Sequence, residues 1–151
     1  MANSMVKINV HSIFHIKLTS VQMDAHDLPR IFEYIGGILK NLGAIPFVVG
    51  GVSNHVHFLS TLPSTISMAE MMRTVKAKSS KWIKSLSPAY ATFAWQDGYA
   101  AFSVSASVLE RTIDYIRNQE EHHQMKTYVD ELKTLLDAYQ ISYDEKFIFN
   151  D

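Results

Sequence analysis

Two histidines one residue apart, His55 and His57, and a tyrosine four residues ahead of a glutamine, Tyr115 and Gln119, stand out in this 151-residue sequence as side chains able to do chemistry together. In a strand, alternate residues share a face, so both imidazoles look one way while Val56 looks the other and packs. Two nitrogen ligands can then converge on one point, although such a pair can equally be an ordinary strand pair with one ring satisfied by a turn. In a helix, Tyr115 and Gln119 stack on a common face about 100° from the centre of the apolar stripe Leu109, Ile113 and Ile116, bordering the core without filling it. A phenol with a pKa near ~10 is a weak nucleophile at neutral pH, and a nearby cation that favours phenolate character would make attack on a phosphate feasible. The chain has no cysteine. Thiol nucleophiles, disulfides and thiolate metal sites are therefore excluded, and a metal must rest on His, carboxylate or amide ligands.

Charge is balanced overall at -1, with 14 basic and 15 acidic residues, which argues against a protein that coats nucleic acid indiscriminately. The distribution is uneven. Arg73, Lys76, Lys78, Lys81 and Lys84 fall in a stretch without an acid, whereas Glu110 to the end carries ten acids against five bases. The basic stretch offers phosphate contacts; the acidic end reads as a solvated face.

These side chains need a scaffold, and the pattern around them supplies one. Val6 to Leu18 alternates His11, Ile13, His15 and Lys17 with Val10, Ser12, Phe14 and Ile16, the period of a long first strand. Asp27 and Pro29 open a helix whose apolar set runs from Ile31 to Leu42 and ends at Gly43. Ile45 to Val52 and His55 to Leu62 form a hairpin across Ser53-Asn54. Ser67 caps a second, basic helix through Leu86. Ala91 to Ser105 reads as two short aromatic-rich runs around Gln96-Asp97-Gly98, where a fourth strand doubles back. A third helix spans about Ser107 to His123, a fourth about Tyr128 to Tyr139, and an irregular tail ends in FIFND.

The order β-α-β-β-α-β with further C-terminal helices predicts an α+β, ferredoxin-like (RRM-like) antiparallel sheet with two helices on one face, the other face left free for a ligand. With 47% apolar and 19% charged residues, residues 1–151 make one domain with a sizeable core. The longest apolar stretch, Ala44 to Val52, is too short to span a membrane, and the N-terminus has no apolar signal segment, so a cytoplasmic location is expected.

Taken as an ordered set, the residues resemble the small single-tyrosine HUH transposases of bacterial insertion sequences, the IS200-like family, named for two histidines around a hydrophobic residue. That motif is His55-Val56-His57 here. The likeness extends to Ser79-Ser80-Lys81-Trp82, to Phe93 through Tyr99 with Phe102 through Ser105, and to Tyr115 through His123, and so covers nearly the whole chain. One segment departs from it: the loop Thr19 to Asp27 has no Lys or Arg where the family often carries a basic run.

The resemblance implies that Tyr115 is the nucleophile and that His55, His57 and Gln119 hold a divalent metal, Mg2+ or Mn2+. Attack on single-stranded DNA would give a 5′-phosphotyrosine and a free 3′-hydroxyl, conserving the bond for rejoining. The resemblance further implies hairpin-bearing element ends as DNA partner and a homodimer with composite active sites. Arg73, Lys76, Lys78, Lys81 and Lys84 are the expected phosphate contacts, and Trp82, Trp95, Tyr99 and Phe102 could stack bases or pack in the core, the latter being favoured for Trp82 and Phe102. Two rival readings are a non-catalytic nucleic-acid-binding module of the same fold and a domesticated relative acting on genomic repeats.

Overall fold

Seven consecutive buried residues, Asn9–His15, form β1 at the centre of the protein. This computed structural model describes residues 3–123 and 126–144. The tail ending in FIFND lies outside the described residues. β1 pairs antiparallel with β3 (His55–Thr61) on one side and β4 (Ala100–Ser103) on the other, and β2 (Pro46–Val52) closes the far edge, giving the order β2-β3-β1-β4. Central strands are covered on both faces, which is why β1 and β3 read as apolar runs with polar residues held inside.

Alternation along β1 and β3 sorts the core into two layers. Phe14, Ile16, Val56 and Phe58 face α1 (Leu28–Asn41) and α2 (Met68–Leu86), burying against Ile31, Ile35, Leu39, Met71, Val75 and Ile83. Each such side chain contributes roughly 1.5–3 kcal/mol on burial. The opposite face is not free. Leu59 and Val104 meet Ile113 and Ile116 of α3 (Leu109–Arg117), while Ile13 and Phe102 meet Leu132 and Leu136 of α5 (Tyr128–Ala138). The apolar stripes of the C-terminal helices require cover, and the sheet is where they find it.

The aromatic-rich run also differs from expectation. It does not double back at Asp97-Gly98: Trp95 bridges Ile16 and Ala100 pairs with Ile13, so the chain runs once along the edge of β1 with a bulge between. The bulge has named causes. Gln96 turns its Oε1 to the His15 N–H at 2.9 Å, and Lys76 Nζ holds the carbonyls of Asp97 and Gly98 at 2.9 and 2.8 Å. The third helix is broken too. Asn118, at φ -97° and ψ 24°, ends α3, and a short α4 (Gln119–His122) follows, consistent with the weak helix preference of asparagine.

Candidate active site

The short turn between β2 and β3 sets the register Val52↔His55 and Gly50↔His57, and the alternation of β3 turns both histidines toward α3 and α5. Neither is solvent-exposed. The tyrosine helix reaches them because β2 has a glycine under it: a Cβ on Gly50 would lie 2.5 Å from the Ile116 carbonyl oxygen. That close approach brings the Tyr115 ring within 5.9 Å of the His57 ring. Gln119, one turn on, is buried with its Oε1 3.3 Å from His55 Nε2. The histidine pair, the tyrosine and the glutamine named from sequence thus lie together in the single chain.

A carboxylate missed by sequence reasoning stands at the centre. Glu131 of α5 is 1% exposed, with Oε1 2.9 Å from His57 Nε2, 3.3 Å from His55 Nε2 and 3.1 Å from His123 Nε2. Its Oε2 accepts from the Tyr115 hydroxyl and, at 3.1 Å, from Gln119 Nε2. A signal existed: on α5 the positions Tyr128, Glu131, Leu132, Leu135 and Leu136 follow helical spacing, which puts an acid on the apolar stripe. An acid so placed needs partners.

Electrostatics follow from this burial. Desolvation alone would raise the Glu131 carboxyl, but its bonds with His55 and His57 outweigh that and hold it well below the usual carboxylate range. Burial lowers His55 to about 4 despite the attraction of Glu131. Burial, helped by neighbouring His57, lowers His11 to about 3. Burial and then the bond to Glu131 raise the Tyr115 phenol above its ordinary value. In this state the site keeps a neutral phenol bonded to an ionised carboxylate, with the neutral His11 and His55 rings beside them.

The donor set fits a divalent metal. His55, His57, His123 and Glu131 each offer an atom within 4.8 Å of the others. Ligands about 2.1 Å from an octahedral ion sit about 3.0 Å apart as cis neighbours, close to the separations above. His55 argues the same way. Its Nδ1 faces Asn54 Oδ1 at 2.7 Å and its Nε2 faces Gln119 Oε1 and Glu131 Oε1, all acceptors, so a neutral ring with its single proton leaves one nitrogen bare against oxygen. With the proton on Nδ1 the bare atom is Nε2, and a cation there relieves the contact with the two oxygens.

The five basic residues of α2 divide. Arg73, Lys76 and Lys84 line a cleft of about 510 Å³ together with Lys17, Trp95 and Tyr99. Lys78 lies on the neighbouring helix face beside Trp82, whose ring stacks on Tyr34 at 4.3 Å under Arg30. Lys81 is exposed, and Lys76 is committed to the carbonyls of the bulge. Of the aromatic candidates, Trp95 and Phe102 are buried in the core, Trp82 is half-buried and Tyr99 is 39% exposed at the cleft.

Fold and site together define a small α+β protein that gathers a histidine pair, a carboxylate and a tyrosine on one sheet face. The family model described as IS200-like transposase matches residues 4–119, and the chain belongs to that transposase family. Among solved structures, a protein of Deinococcus radiodurans R1 described as a transposase is similar, with TM-score 0.61 and 17% identity over 79% of this chain and 95% of that one. A REP-associated tyrosine transposase bound to a REP hairpin is similar with TM-score 0.60 and 12% identity, over 100% of this chain and 96% of that one. These two likenesses are of fold. No curated protein matches the sequence. No described helix is long and apolar enough to cross a membrane.

Proposed function

We propose that the protein is a metal-dependent transposase that cuts and rejoins single-stranded DNA through Tyr115, acting as one domain over residues 1–151. The observation that carries this reading is the position of Glu131, with one oxygen on the tyrosine hydroxyl and the other among three histidines. Glu131 Oε2, which accepts the Tyr115 hydroxyl's hydrogen bond, would take the phenol proton as the Tyr115 oxygen attacks phosphorus. The bond to the 3′-oxygen breaks, that oxygen leaves as a hydroxyl after taking a proton from water, and the phosphate stays on Tyr115 through its 5′ side. Left to themselves, a raised phenol and a depressed carboxyl make this transfer unfavourable. A divalent cation held by His55, His57, Glu131 and Gln119, with His123 in reach, would supply the missing charge stabilisation. Imidazole-rich ligation favours Mn2+ over Mg2+.

A path for the strand accompanies the site. The basic cleft shares Lys17 with a second pocket of about 300 Å³ lined by His15, Asn54 and Tyr128, and Tyr128 lies 4.4 Å from the His55 ring. Phosphates on Arg73 and Lys84, with a base on Tyr99, would therefore lead to the metal end of β3. A hairpin is the DNA form that the REP-associated relative binds, and the balanced charge of this chain suits recognition of a structured end over general affinity.

The test is incubation with a hairpin-bearing single-stranded end from the DNA flanking the gene and Mn2+, followed by a denaturing gel. A covalent protein–DNA adduct is expected. Tight hairpin binding without an adduct would favour a non-catalytic binding module and overturn the enzymatic reading.

A further inference from the structure

His11 has no part in the steps above, yet it is built into the site. It lies on β1 two residues before Ile13, the cross-strand partner of His57, so the two rings are diagonal neighbours on one sheet face. His11 is buried, its Nε2 is 2.8 Å from His57 Nδ1, and the rings stack at 5.1 Å. Phe102 and Tyr115 wall it in, each with ring centroids 6.2 Å away.

The two histidines of the pair are held differently by these partners. His55 Nδ1 meets the Asn54 oxygen, which only accepts. His57 Nδ1 meets another imidazole, which can donate or accept. With no cation present, His57 Nε2 faces the Glu131 carboxylate at 2.9 Å and must carry the ring's proton to bond there. Its Nδ1 is then bare and accepts from His11 Nε2–H. To ligate a cation through Nε2, His57 must carry its proton on Nδ1 and donate it to a bare His11 Nε2.

We propose that His11 is a positioning residue that lets His57 change tautomer, from hydrogen-bond donor against Glu131 to metal ligand. The inference rests on the metal site proposed above. The protons balance. Bulk water gives one to His11 Nδ1, the proton on His11 Nε2 passes to His57 Nδ1, and the proton on His57 Nε2 leaves to bulk water. Each ring keeps its proton count. An oxygen acceptor at position 11 would fix His57 in the ligating form, and an apolar side chain would support neither form.

The experiment uses the full chain. Calorimetric titration with Mn2+ compares wild type, His11→Leu and His11→Gln, whose terminal amide can donate or accept near the place of Nε2. His11→Leu should bind about 10- to 100-fold more weakly, the range for loss of a ligand's outer hydrogen bond, and His11→Gln should recover most of the difference. Long-range 1H–15N spectra of the wild type, with Zn2+ as a diamagnetic probe, should show His57 protonated on Nε2 without metal and on Nδ1 with it. Binding by His11→Leu as tight as wild type overturns the inference, as does an unchanged His57 tautomer, which is read without any variant. If the wild type binds neither ion, the metal site itself falls and this inference with it.

Discussion

The Tyr115 hydroxyl donates a hydrogen bond to Glu131 Oε2, joining the tyrosine of α3 to a carboxylate sixteen residues on, in α5. The same carboxylate bonds the His57 ring through its other oxygen. One side chain therefore ties proposed nucleophile to proposed metal ligands, and the predictions divide along that tie.

Tyr115→Phe removes the hydroxyl and keeps the ring that packs beside Leu59 and Ile116. Hairpin binding should be retained and adduct formation abolished, as read by gel shift and denaturing gel on the same samples. An adduct in this variant would move the nucleophile elsewhere.

Glu131→Gln keeps the volume and removes the charge. Mn2+ affinity should fall at least about tenfold, or ~1.4 kcal/mol, with cleavage falling alongside. Calorimetry giving wild-type affinity would take Glu131 out of the site.

Gly50→Ala places a methyl group against the Ile116 carbonyl. The α3 helix must lift, so stability should drop by about 1–3 kcal/mol, the usual scale of overpacking, and the adduct rate should fall because Tyr115 moves with the helix. Denaturant unfolding and single-turnover kinetics read the two effects; no change in either would show that α3 has slack.

Mixing tests where the site is assembled. Tyr115→Phe and His57→Ala, each inactive, are allowed to exchange subunits. With tyrosine and histidines joined in one chain, the mixture should stay inactive. Adduct appearing on the His57→Ala chain would establish composite sites in a homodimer.

Acidity should loosen the metal-free protein. His11 and His55 stay neutral in the fold down to about 3 and about 4, while in the unfolded chain they protonate near the ordinary ~6.5. The unfolded state therefore binds more protons below pH ~6.5, so stability is full above it and falls as pH drops toward 4, by at most about 1.4 kcal/mol per pH unit for each ring. Thermal unfolding in chelator at pH 7.5, 6 and 5 checks the slope. His11→Phe should flatten it, and a level wild-type profile would contradict the burial described.

Sequence periodicity made β1, both hairpin strands and α1 and α2 legible, because alternation and helical spacing are local. His55, His57, Tyr115 and Gln119 were legible as an ordered set. Glu131 was not, since an acid on the apolar stripe of α5 shows its purpose only when α5 docks on Ile13 and Phe102, and it lies beyond the family match, which stops at residue 119. The bulge at Asp97-Gly98 was misread as a reversal for a similar reason. Asp-Gly signals a turn locally, and the Lys76 ammonium that holds both carbonyls comes from α2, 21 and 22 residues away.

The edges of the sheet carry a consequence for how copies of the chain meet. β4 is only four residues long, follows the bulge, and gives its Ser103 carbonyl to the Tyr139 hydroxyl. At the other edge, β2 starts at Pro46, which has no N–H, and its register slips between Pro46 and Val48. Short, interrupted or proline-marked edges discourage strand addition from another molecule. The sheet is accordingly guarded against edge-to-edge aggregation, and any assembly of two chains should be sought on helix and loop surfaces instead.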